Sequence, residues 1–80
     1  MEFNNIENIK KYILYLKDNC PEESKWYDDL NWFSSNNYTT TSEYFGELML
    51  FLKQLIQADE MKKNRCELLE LEKVLKAYFE

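Results

Sequence analysis

The chain has 80 residues, of which 45% are hydrophobic and 16% aromatic, and its formal net charge is −5. This apolar content excludes a disordered chain, and a single glycine and a single proline leave too few turn residues for an all-β fold. There is no signal-peptide pattern, and the apolar run from residue 44 to 56 is too short to cross a bilayer. We therefore expect one cytoplasmic domain spanning residues 1–80.

The negative charge is concentrated in the middle of the chain. Residues 18–47 contain seven acidic side chains against one base, Lys25, whereas the flanking segments are close to balance. A field of this sign repels nucleic acid and attracts a basic partner. An acidic surface that only keeps the protein soluble is the alternative explanation.

The first predicted helix begins at Asn4, which forms a capping-box pattern with Glu7. Apolar residues then recur at spacings of three and four and make one face of the helix. These residues are Ile6, Ile9, Ile13 and Leu16. The helix is expected to end near Asp18, because Pro21 disfavours helical backbone at Cys20.

A second helix is predicted over residues 22–34. Pro21 suits the first turn of a helix, and the acidic Glu22 and Glu23 complement the helix dipole. The predicted inner face consists of Trp26, Leu30 and Phe33, with Tyr27 at its edge. The polar residues 34–37 should end this helix and begin a loop.

The densest apolar run predicts a third helix over residues 43–57, which Thr40 and Glu43 open as a second capping box. At ~100° per residue its apolar side chains cover roughly 160° of the helix surface. An arc this wide needs neighbours on more than one side, so this helix should be central. Three leucines on the arc are expected to be fully buried: Leu48, Leu52 and Leu55.

The chain is predicted to reverse direction between residues 57 and 67, where apolar residues become sparse. Asp59 and Asn64 are the candidate caps, with Glu67 supporting Asn64. The last helix has an apolar face of Leu68, Leu71, Leu75 and Tyr78, flanked by Val74 and Phe79. The predicted fold is therefore all-α, a small four-helix antiparallel up-down bundle with residues 43–57 as the central helix.

The side chains of most catalytic and metal sites are missing. There is no histidine, and the only glycine lies inside a predicted helix, which excludes a phosphate-binding loop. Neighbouring acids such as Glu22 and Glu23 point ~100° apart on a helix and do not converge. We predict no enzymatic activity, no cofactor and no metal, and the rival hypothesis of a carboxylate-only active site requires a deep acidic pocket.

Cys20 and Cys66 are expected to be free thiols. In an up-down bundle their connections would lie at the same end, with Cα atoms within about 7 Å, so a neighbouring pair is the alternative. Two cysteines alone cannot hold zinc, which needs two further ligands.

Surface aromatic residues are the most informative functional feature. Trp32 is predicted to project away from the core between Asp28 and Asp29, at i−4 and i−3, and aromatic residues ringed by charge are typical of interface hot spots. The predicted partner-binding residues are Asp18, Glu22, Glu23, Asp28, Asp29, Trp32, Tyr38, Glu43, Glu47 and Leu50. The alternatives are that Trp32 covers the open end of a small core, or that Leu50 packs in a homodimer.

In length, acidity and number of helices, the chain resembles the small helical immunity proteins of bacterial toxin systems, which mask the basic active cleft of nuclease toxins. The resemblance implies an inhibitor of a basic nuclease-type toxin or another nucleic-acid-processing protein, with no direct binding to nucleic acid or membrane. Phage proteins that disarm bacterial defence nucleases share these features. The Asp-x-x-Tyr-Tyr-Pro signature of the colicin nuclease immunity family is absent, so no binding residues are carried over from it. The alternative function is a homo-oligomeric structural or adaptor subunit, in which Trp32 or Leu50 packs against a second copy.

Overall fold

The computed structural model describes residues 3, 5–35 and 40–79. These residues form four α-helices and one 3-10 helix, with no strand among them, which confirms the predicted all-α fold with four helices. The elements are α1 (Ile6–Asp18), α2 (Tyr27–Ser35), α3 (Thr41–Gln57), the 3-10 helix (Asp59–Asn64) and α4 (Arg65–Phe79). The chain divides into two compact units, an N-terminal unit of residues 2–39 and a C-terminal unit from residue 40 onward. The single domain spanning residues 1–80 stays a prediction.

In the N-terminal unit, α1 begins one residue later than predicted. The N-cap is Asn5, whose side-chain oxygen accepts a hydrogen bond from the backbone N–H of Asn8 at 2.9 Å. The predicted cap, Asn4, lies outside the described residues, and the capping box that paired it with Glu7 is wrong. The predicted end at Asp18 is confirmed.

The core of this unit includes one residue that the periodicity did not identify. Ile9, Ile13 and Leu16 are buried as predicted, whereas Ile6 is only half-buried. Tyr12 is also fully buried, because it lies three residues after Ile9 and four before Leu16 and so shares their side of α1. Its ring forms a T-shaped contact with the Phe3 ring, with centroids 5.2 Å apart.

The second helix begins at Tyr27, so the predicted start at residue 22 is wrong. The preceding segment instead forms two turns closed by i to i+3 bonds, from the Ser24 N–H to the Pro21 carbonyl and from the Tyr27 N–H to the Ser24 carbonyl. The Ser24 hydroxyl also accepts from the Trp26 N–H at 3.2 Å, a local bond that competes with helix formation. The predicted inner face is confirmed, since Trp26, Leu30 and Phe33 are buried.

In the C-terminal unit, α3 begins two residues before the predicted start and ends at Gln57 as predicted. The Thr40 hydroxyl accepts a hydrogen bond from the Glu43 N–H at 3.1 Å, which confirms the predicted N-cap. Leu48, Leu52 and Leu55 each have 0% relative exposure. The predicted phase of this helix is therefore confirmed.

The reversal falls where the sequence predicts it. The extended backbone of Ala58 ends α3, and the 3-10 helix leads into α4. Asn64 donates from its side-chain amide to the Glu67 carboxylate at 3.3 Å, so the predicted pair forms. Asp59 does not act as a cap, because Ala58 holds the N-cap position of the 3-10 helix and makes no side-chain bond.

Helices α3 and α4 run antiparallel. Arg65, at the start of α4, donates from Nε to the carbonyl of Ile56 near the end of α3 at 2.8 Å. At the other end, Tyr78 of α4 contacts Phe45 in the first turns of α3. Leu68, Leu71 and Leu75 are buried as predicted, whereas Tyr78 is 48% exposed and does not belong to the buried face.

Candidate protein-binding surfaces

One candidate surface, the α2 surface, consists of Asp28, Asp29 and Trp32 in the N-terminal unit. All three side chains are exposed, and Trp32 retains 42% of its accessible area. Since residues three and four apart on a helix are neighbours, the two carboxylates flank the indole ring. The predicted exposure of Trp32 is confirmed. The alternative that Trp32 covers the open end of a small core stays open, because the exposed ring also contacts the buried Phe33.

The Trp32 ring is held in place by the core beneath it. It forms a T-shaped contact with the buried Phe33, with ring centroids 4.8 Å apart and ring planes at 85°. This edge-to-face arrangement is favourable for aromatic rings. A ring already fixed in this way loses little conformational entropy when a partner covers it.

Three further predicted residues, Asp18, Glu22 and Glu23, are exposed where the chain passes from α1 towards α2. Asp18 is the last residue of α1, whereas Glu22 and Glu23 lie in the turns before α2 rather than in its first turn. The Lys25 ammonium lies over the Trp26 ring, 4.6 Å from its centroid. The Lys17 ammonium lies over the Tyr27 ring, 5.8 Å from its centroid. These acids therefore add to the negative potential beside α2, which the two lysines partly offset.

A second candidate surface, the α3 surface, lies in the C-terminal unit and consists of Glu43, Glu47 and Leu50. These residues are spaced by four and three, so they share one side of α3, and all are exposed. Leu50 is 60% exposed, the highest value among the large apolar side chains of the described residues. Its predicted position on the polar side of the helix is confirmed.

The remaining predicted site residue, Tyr38, lies outside the described residues. The structure also exposes apolar side chains that the predicted site does not include. These are Leu14 and Tyr15 in α1, and Leu69, Val74, Tyr78 and Phe79 in α4. For Leu14 and Tyr15 the signal was available, since both point away from the Ile9–Ile13 face on a helical wheel.

Both cysteines are free thiols, Cys20 half-buried and Cys66 exposed. Over residues 3, 5–35 and 40–79, no three acidic or cysteine side chains are arranged to hold a metal ion. Within the same ranges, every buried side-chain nitrogen or oxygen has a hydrogen-bond partner. None of the described helices combines the length and apolar character needed to span a membrane.

Comparison of the chain with protein-family models, with characterised proteins and with solved structures finds no match. The features of the chain that indicate a function are therefore the two surfaces and the distribution of charge.

Proposed function

We propose that this chain is a cytoplasmic protein-binding module, an immunity protein or inhibitor that neutralises a basic nuclease-type toxin or another nucleic-acid-processing protein of bacteria. It binds the partner through the α2 surface and the acids that precede it. Its negative charge takes the place of nucleic acid in the basic cleft of the partner, and it has no catalytic role.

The observation that carries the proposal is the position of Trp32, a half-exposed indole fixed against Phe33 and flanked by Asp28 and Asp29. Tryptophan is among the residues that contribute most to binding when a partner buries them. The neighbouring carboxylates can pair with arginine or lysine of the partner, and such charge-assisted hydrogen bonds fix its orientation. A surface that combines both features fits a basic protein better than a small molecule.

The proposal predicts that a neighbouring gene encodes a toxin with a basic nuclease domain. That domain can be purified and its cleavage of nucleic acid assayed with and without this chain. Addition of the chain at a 1:1 ratio should abolish cleavage of nucleic acid and give a complex on size exclusion. The Trp32→Ala variant should lose about 2 kcal/mol or more of binding free energy, which is roughly a thirtyfold weaker affinity.

A matched control distinguishes the effect of the α2 surface on inhibition from the effect of the net charge of the chain. Asp28→Asn with Asp29→Asn removes two charges from the α2 surface, and Asp59→Asn with Glu70→Gln removes two exposed charges from the C-terminal unit. Only the first pair should slow association with the partner and so delay the onset of inhibition. Equal effects of the two pairs, or unchanged inhibition by the Trp32→Ala variant, would reject the α2 surface as the binding site.

The alternative function, a homo-oligomeric structural or adaptor subunit, predicts a different assembly. In that case Trp32 or Leu50 packs against a second copy, and sedimentation of the chain alone at micromolar concentration gives a stable oligomer. An inhibitor of a basic protein is a monomer under those conditions and forms a heteromeric complex.

A further inference from the structure

Leu50 lies at the centre of a polar helix face. Its neighbours at three and four residues in either direction are Gly46, Glu47, Lys53 and Gln54. All except the half-buried Gly46 are exposed, and Leu50 itself is 60% exposed. A branched apolar side chain at such a position contributes little to the core of its own unit.

Gly46 lies one turn before Leu50, and the C-terminal unit does not require a glycine there. A Cβ atom built at this position would meet nothing within 4 Å, and glycine weakens a helix interior relative to alanine. The missing side chain leaves open space beside Leu50. A side chain of another molecule that packs against Leu50 can occupy this space without a clash.

The charges around Leu50 are self-complementary. Glu47 lies three residues before Leu50 and Lys53 three residues after it, on opposite flanks of the helix. Neither side chain has an ion-pair partner in the part of the chain that the structure describes. Two copies of this helix related by a two-fold axis at Leu50 can cross steeply in either hand. One of the two crossings places each Glu47 opposite the Lys53 of the second copy.

We propose that the surface of α3 around Leu50 binds a second copy of this chain through an isologous contact centred on Leu50. The two leucines pack against each other beside Gly46. Two symmetry-related Glu47–Lys53 ion pairs form on either side of the leucines. A steep crossing of two helices buries less area than a standard interface, so the dimer is transient. This contact lies in the C-terminal unit and does not depend on the proposed binding of a toxin.

The test is sedimentation equilibrium of the purified chain at low ionic strength, over a concentration series reaching about 1 mM. Dimers with Kd values near this concentration become populated there. The wild-type chain should show a reversible monomer–dimer equilibrium. Leu50→Ser should shift it to monomer by roughly tenfold or more in Kd, because the substitution removes the central contact twice by symmetry. Leu69→Ser is the matched control, an exposed leucine of α4 whose replacement should leave the dimer unchanged.

Charge reversal tests the symmetry of the contact directly. Glu47→Lys alone and Lys53→Glu alone should each weaken the dimer by about fivefold or more, since each places like charges opposite each other at both symmetry-related positions. The double variant Glu47→Lys with Lys53→Glu should restore the wild-type Kd. A wild-type chain that stays monomeric at about 1 mM, a dimer that survives Leu50→Ser, or a double variant as weak as the single ones would overturn the proposal.

Discussion

Tyr78 of α4 meets Phe45 of α3 edge to face, with ring centroids 4.8 Å apart and planes at 90°. The Tyr78 hydroxyl also lies 3.2 Å from the Oγ atom of Ser42. Tyr78 is nearly half exposed, yet it connects the last turn of α4 to the first turn of α3 across 36 residues of sequence. Because the contact is long-range, it stabilises the antiparallel helix pair rather than either helix alone.

Two substitutions of Tyr78 should distinguish the contribution of the ring contact to stability from that of the hydrogen bond. Tyr78→Ala should lower the free energy of unfolding by about 1–2 kcal/mol, since an aromatic pair contributes ~0.5–1.5 kcal/mol beyond its buried area. Tyr78→Phe keeps the ring and loses only an exposed hydrogen bond, which costs below about 1 kcal/mol. Urea denaturation of both variants measures the difference. Equal losses in the free energy of unfolding would mean that the hydroxyl, rather than the ring, stabilises the contact between the helix ends.

The core can be tested with two leucines of the same helix. Leu52→Ala should destabilise the protein by about 2–5 kcal/mol, because it removes a fully buried side chain and leaves a cavity. Leu50→Ala removes the same atoms from an exposed position and should change the stability of the monomer by less than ~0.5 kcal/mol. Urea midpoints at low protein concentration provide the comparison, and an unchanged midpoint for Leu52→Ala would contradict the phase of α3.

Periodicity was sufficient to predict α3, because its apolar residues extend over four turns and its cap at Thr40 follows the Ser/Thr pattern. It was insufficient for the start of α2. Pro21, Glu22 and Glu23 match a helix N-terminus, but the side-chain bond from Ser24 to the Trp26 N–H favours turns there. In such a segment a helix-start pattern competes with side-chain hydrogen bonds that favour turns. The sequence alone does not show which of the two is more stable.

The candidate site was also predicted only in part from the sequence. A helical wheel places Trp32 and Leu50 away from the apolar faces, and both are exposed. The wheel could not show that Trp32 is fixed by an edge contact with Phe33, because that depends on side-chain rotamers. It also assigned Tyr78 to the buried face, since periodicity does not show where neighbouring helices stop covering the end of α4.

The N-cap of α3 gives a third prediction. Thr40→Ala should destabilise the protein by ~1 kcal/mol, because the Glu43 N–H loses its hydrogen-bond acceptor. Thr40→Ser keeps the hydroxyl and should retain most of the stability. Thr41→Ala, one residue further along and inside the helix, is the control and should be nearly neutral. Thermal unfolding followed by circular dichroism distinguishes these variants, and equal effects at positions 40 and 41 would argue against the cap.

Gly46→Ala should stabilise the monomer by about 0.5–1 kcal/mol. The substitution restricts the unfolded chain and improves helix propensity, and the new methyl group meets no atom within 4 Å. Calorimetry at low protein concentration, where self-association is negligible, should show a higher Tm. A lower Tm would reveal a close contact at this position that the structure does not contain.

The α2 surface leads to a kinetic prediction for binding to a basic partner. Charge at exposed positions accelerates encounter but contributes little net affinity. A tryptophan that becomes buried contributes mainly to the lifetime of the complex, since most affinity differences within one interface appear in the off-rate. The two parts of the surface should therefore affect different rate constants.

Trp32→Ala should raise the off-rate by roughly thirtyfold, corresponding to about 2 kcal/mol, and leave the on-rate nearly unchanged. Asp28→Asn with Asp29→Asn should lower the on-rate and flatten its dependence on ionic strength, because salt screens the charges that steer the encounter. Stopped-flow mixing at several salt concentrations measures both constants, with the Asp59→Asn and Glu70→Gln pair as the charge-matched control. If the aspartate variant instead raises the off-rate as much as Trp32→Ala does, the carboxylates are desolvated anchors of the complex, because removing one partner of a buried ion pair is costly. If neither variant changes either constant, the α2 surface takes no part in binding.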